Sequence, residues 1–79
     1  MLRIEYDDKA DAVYIQWLIE PIGCTNTLDH NRLVDYTLPP ARVVGVDLMS
    51  VSEGVKLKGL PNREAVKDIL NFLKIKTLD

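Results

Sequence analysis

Cysteine and histidine each occur once in this chain of 79 residues, at Cys24 and His30, and that scarcity excludes several chemistries. A single cysteine closes no internal disulfide. As a nucleophile Cys24 would need an imidazole beside it, and only His30 is on offer; a small loop-filling residue is the simpler reading. His30, with no second ligand or paired serine, reads as a loop histidine. No stretch approaches the roughly 20 apolar residues of a membrane span. The opening MLRIEYDD carries Arg3, Glu5, Asp7 and Asp8 where a signal peptide needs an apolar centre, so a reducing cytoplasm and no membrane partner are expected. Lysine and arginine are not in excess: the net charge is −2 and the pI about 5.3, which argues against nucleic acid as a partner. Lys67, Lys74 and Lys76 alternate with Glu64, Asp68 and Asp79 as on a solvated helix face. Neither a glycine-rich nucleotide loop nor a zinc-ligand spacing is present, and there is no repeat or low-complexity segment.

What is present suits one small folded domain over residues 1–79, with 47% hydrophobic and 28% charged residues. LRIEY (2–6) alternates, with Leu2, Ile4 and Tyr6 on one face and Arg3 and Glu5 on the other, the period of a half-buried strand. DDKAD follows as a turn, for which short acidic side chains are suited by their bonds to nearby amides. AVYIQWL (12–18) is rich in β-branched and aromatic residues and returns antiparallel; placing Ile4 opposite Ile15 and Tyr6 opposite Val13 keeps one face apolar. EPIGCTNTLDHN contains TNTLD as a candidate edge strand. RLVDYTL (32–38) and RVVGVDLM (42–49) pair across LPPA, where neither proline can donate to a ladder. With Val34 opposite Val46 and Tyr36 opposite Val44, those four and Leu48 face the core, while Leu33, Asp35, Val43, Gly45 and Asp47 share the other side. Gly45 within a strand marks a bulge or a close backbone approach.

From residue 62 to 75 the period becomes helical: Val66, Ile69, Leu70 and Leu73 form one stripe, with Asn62 as an expected cap and Glu64 in the first turn. Val55, Leu57 and Leu60 anchor the connection before it. The predicted class is α+β: an antiparallel β-meander of four to five strands with one C-terminal helix packed across the Leu2, Ile4, Ile15, Val44 and Val46 face.

Two functional readings compete. Asp35 and Asp47, with Asp7 and Asp11, are weak candidates for a Mg²⁺ site able to activate water, which would make a metal-dependent hydrolase. Turn formation by Asp7 and Asp11, and cross-strand pairing of Asp35 and Asp47 with Arg3, Arg32 or Arg42, is the structural counterpart. Trp17 reads as core or interface. Against the hydrolase stands an interaction face of Tyr14, Leu18, Leu33, Val43 and Gly45, because one helix cannot cover two apolar sheet faces, and an uncovered apolar patch marks contact with another chain. A homodimer or a small protein partner would fill it.

YDDKADAVYI, VVGVDL and SEGVKLKGLP, taken together, resemble the small prokaryotic family catalogued as domain of unknown function 2283, over nearly the whole chain. The family's Tyr-Asp pair, second aspartate and Tyr-Ile strand fall on Tyr6, Asp7, Asp11, Tyr14 and Ile15. Its Val-Val-Gly strand falls on Val43, Val44 and Gly45, with Asp47 where glutamate is commoner and LPPA in place of an acidic hairpin turn. The resemblance implies a cytoplasmic β-meander with no cofactor and no established activity. Some relatives are encoded beside small toxin-like proteins, which implies an antitoxin-like or regulatory role. The expectation is therefore a non-enzymatic binding module, with Asp47 and Glu53 structural.

Overall fold

The computed structural model describes residues 2–79. Strands β1 (Arg3–Asp7), β2 (Ala12–Gln16), β3 (Cys24–Asp29), β4 (Arg32–Tyr36) and β5 (Val43–Met49) form one antiparallel sheet in the order β1-β2-β5-β4-β3. The last of the five therefore lies in the middle, between two hairpins. A 3₁₀ turn (Val51–Glu53), a two-residue strand β6 (Val55–Lys56), helix α1 (Arg63–Phe72) and strand β7 (Thr77–Leu78) follow, β6 and β7 pairing in parallel. The α+β class, the five antiparallel strands and the single C-terminal helix agree with the sequence reading; β2, β4 and the helix are shorter than expected.

The first hairpin has the register that its apolar alternation requires, Ile4 opposite Ile15 and Tyr6 opposite Val13. Asp7 holds its turn by accepting the Lys9 and Ala10 amides, both at 3.0 Å. Asp11, at φ 56°, ties the turn to the distant 3₁₀ segment. Its carboxylate accepts the Ser52 N–H at 2.9 Å and the Ser52 hydroxyl at 2.7 Å. Both aspartates are thus turn residues, as expected.

Val13 and Ile15 of β2, Val34 of β4 and Val46 and Leu48 of β5 meet Val66 and Leu70 of α1 in a core closed by Val51, Val55, Leu57, Leu60 and Ile75. The connection before the helix supplies more buried residues to this core than the helix does. Val34 faces Val46 as expected, but the register shifts between Asp35 and Tyr36, so Tyr36 faces Val43 rather than Val44. This bulge corrects two assignments. Val43, expected on the far face, packs against the helix-side core, and Val44, although fully buried, lies outside that cluster. A second correction concerns β1, whose residues are all exposed: the helix does not cover Leu2 or Ile4.

Asn62 adopts φ 51° and makes no side-chain cap bond, contrary to expectation; its carbonyl instead accepts the Val66 N–H at 3.0 Å. At the other end the Ile75 N–H reaches the Leu70 carbonyl at 2.8 Å and the Lys74 N–H the Asn71 carbonyl at 3.0 Å. This is a Schellman closure, with Ile75 buried on Leu70's side of the helix. Lys74 occupies its left-handed position at φ 61°, where glycine is the unstrained residue. Lys74→Gly is expected to raise stability by roughly 0.5 to 1 kcal/mol, since relief of the left-handed strain outweighs the added freedom of the unfolded chain; an unchanged or lower denaturation midpoint would contradict it.

Candidate functional site

The face of the sheet opposite the helix carries the candidate chemistry. Strand pairing aligns Glu5, Tyr14, Asp47, Leu33 and Thr27 in one row and Arg3, Gln16, Gly45, Asp35 and Thr25 in the next. Tyr14 does not stand upright in its row. It leans across β5 and donates its hydroxyl to Asp35 Oδ2 on β4 at 3.0 Å, while Thr25 on β3 donates to Oδ1 at 2.6 Å.

Gly45 makes that crossing possible. A Cβ there would lie 2.5 Å from the Ile15 carbonyl oxygen and 2.9 Å from the Tyr14 hydroxyl, so any side chain would collide with a neighbouring strand and block the path to Asp35. The glycine expected to mark a bulge or a close approach marks both.

Asp35 is only 8% exposed, and its two oxygens are occupied by neutral hydroxyls. Asp47 lies beside it, half-buried. The expected arginine partners are elsewhere: Arg3 pairs with Glu5, Arg42 with Glu20, and Arg32 with Asp29 and the Lys56 and Lys58 carbonyls. Among the described residues, Asp35 and Asp47 therefore share a face with no cation paired to either, which corrects the ion-pair assignment. Desolvation, and then the Asp35 charge, raise the Asp47 pKa above the usual aspartate value. Burial, the bond to Asp35 and the charges of Asp35, Asp47 and Glu5 push Tyr14 up to about 12.

The arrangement can hold a proton on Tyr14 and share it with Asp35, but it does not assemble a ligand sphere. Among the described residues no group of three or more His, Cys, Asp or Glu side chains is placed to hold a metal ion. Asp7 and Asp11 are engaged in the turn. Cys24 is exposed on edge strand β3, and His30 in the β3–β4 turn borders a shallow depression with Asp29, Arg32, Glu53 and Lys56.

Of the five residues expected to form an apolar face, Tyr14, Leu18 and Leu33 are half-buried, Gly45 is buried beneath Tyr14, and Val43 belongs to the opposite side. Apolar surface is left uncovered elsewhere, at the separate positions Ile19, Ile22, Leu38 and Phe72 and in one alternating set at the sheet's margin. Leu2, just before β1, and Ile4 and Tyr6 on that outermost strand are 51%, 38% and 45% exposed and alternate along the chain. The alternation of LRIEY shows that row; only the helix's placement shows that it stays open. Compared with protein-family models, curated proteins and solved structures, the chain matches none. No helix among the described residues is long and apolar enough to cross a membrane.

Two measurements probe the polar face. A Tyr14 pKa raised from 10.0 to about 12 means that the fold favours the neutral phenol, so this contribution is whole below pH 10 and is lost as the pH rises through 12. Tyr14→Phe should lower stability by about 1 to 3 kcal/mol at pH 7, by stripping a donor from buried Asp35, and should flatten the alkaline decline in a pH series of urea midpoints. The raised Asp47 pKa has the corresponding sign for a carboxyl: its stabilising contribution is present below about 3.8 and is lost as the pH rises through the higher folded value. Ionised Asp47 is therefore a cost at neutral pH. Asp47→Asn is expected to raise the melting temperature at pH 7, with the advantage closing below pH 4; a loss of stability at pH 7 would contradict the uncompensated charge.

Proposed function

We propose that this chain is a non-enzymatic protein-binding or regulatory module that works through its sheet, and that its contact surface is the open margin formed by β1. The observation that carries the reading is the row Leu2, Ile4 and Tyr6, three apolar side chains left exposed along a strand whose outer edge has no partner among the described residues. Exposed apolar rows and free strand edges are the features through which sheets acquire partners. The residues on Tyr6, Asp7, Asp11, Tyr14, Ile15 and Val43 to Gly45 support placing it with the domain of unknown function 2283 family, whose implied antitoxin-like role in the cytoplasm fits a partner-binding margin. Against the alternative of a metal-dependent hydrolase, Asp7 and Asp11 hold a turn, and Asp35 accepts from Tyr14 and Thr25.

The test places a photo-crosslinking side chain at Ile4 and, separately, at Leu33, and runs the purified chain against a phosphoester panel with Mg²⁺ or Mn²⁺. Crosslinks to a protein from position 4 and not from 33 are expected, with no turnover. Metal-dependent turnover lost in Asp47→Asn would overturn the reading.

A further inference from the structure

The free edge of β1 can be read atom by atom. The Trp17 amide bonds to the Val44 carbonyl at 2.8 Å, and on the far side of β5 the Met49 amide bonds to the Asn31 carbonyl at 2.8 Å. Backbone groups alternate in direction along a strand, so Val13 and Ile15 of β2 point toward β5, and Ala12, Tyr14 and Gln16 point toward β1. Their partners there are Asp7, Glu5 and Arg3. The N–H and C=O groups of Leu2, Ile4 and Tyr6 therefore face outward, and these are the same three residues whose side chains form the open apolar row.

We propose that β1 pairs antiparallel with β1 of a second copy of this chain about a two-fold axis at Ile4, joining two sheets into one of ten strands. This rests on the reading of β1 as the contact surface and names its occupant. Outward backbone groups can meet only where even-numbered residues face even-numbered residues, which removes every register that opposes an apolar side chain to a charged one. An axis at Arg3 would set Arg3 against its own copy, and an axis at Glu5 would do the same for Glu5. The axis at Ile4 sets Ile4 against Ile4, Leu2 against Tyr6, and Arg3 against Glu5, twice each for the last two by symmetry. All three apolar residues then meet on the helix side, and two opposite-charge pairs meet on the other. Arg3 already reaches Glu5 of its own strand at 2.6 Å, so the copy's Glu5 enters an existing pair. The other free edge, β3, offers no such row: its one large apolar residue, Leu28, is packed against the core.

Sedimentation equilibrium from 1 to 300 µM, in reductant so that exposed Cys24 cannot link copies, should give twice the 9.0 kDa chain mass. Ile4→Lys should give monomer with an unchanged circular dichroism spectrum. Arg3→Glu and Glu5→Arg should each weaken association by about tenfold or more through like-charge pairs, and the double exchange Arg3→Glu with Glu5→Arg should restore it. Amide exchange of Ile4 and Tyr6 should slow as concentration rises, while that of Glu5, already bonded to β2, should not change. A monomer throughout, or a dimer indifferent to these variants, overturns the self-pairing. If position 4 then crosslinks a different protein, the contact surface stands with another occupant; if it crosslinks nothing, that reading falls as well.

Discussion

At Gly45 the central strand comes so close to Ile15 that no side chain fits between them, and both faces of the sheet are organised around that approach. On one face the missing Cβ opens a path by which Tyr14 crosses β5 to Asp35. On the other, the register shift beside Gly45 turns Val43 into the core. Strand β5 bonds to β2 and β4 along its length, so a displacement at this point would be felt by both hairpins at once. A glycine weakens a strand considered alone. Here it is the condition for joining two hairpins about a third element.

The polar layer on the far face follows from this geometry. A buried carboxylate is tolerable when both oxygens have donors, and Asp35 has them from Tyr14 and Thr25, one from each flanking hairpin. The network therefore reaches across β2, β5, β4 and β3 with neutral donors and no arginine. Asp47 lies beside that network without joining it, which is why its ionisation is disfavoured. The two bonds to Asp35 run across the strands and tie β2 and β3 to β4.

Much of this was legible in the chain because side-chain period and core face coincide. Ile4 opposite Ile15 and Val34 opposite Val46 followed from alternation, and the stripe of Val66, Ile69, Leu70 and Leu73 from helical spacing. What was not legible depended on backbone irregularity or on reach. A bulge changes the parity of a strand without altering its composition, so VVG could not reveal which valine turns inward. The arginines were assigned by strand adjacency, whereas Arg32 is drawn away by two carbonyls from a segment more than twenty positions distant. Asp11 and Ser52 are similarly remote, and no local pattern announces their bond.

The open β1 margin follows from where the helix packs. The helix lies over Val13, Ile15, Val34, Val46 and Leu48, where the buried side chains are. No residue of β1 belongs to that cluster. The apolar alternation of LRIEY then has no covering element within the described fold, yet its charged face is balanced, Arg3 against Glu5. A strand whose apolar residues share one face, whose outward backbone groups belong to those same residues, and whose two charges are opposite and symmetric about Ile4 is complementary to its own reverse. The packing of the helix over β2, β4 and β5 and the pattern of the first strand thus bear on the same margin: one leaves it open, and the other specifies what fits there.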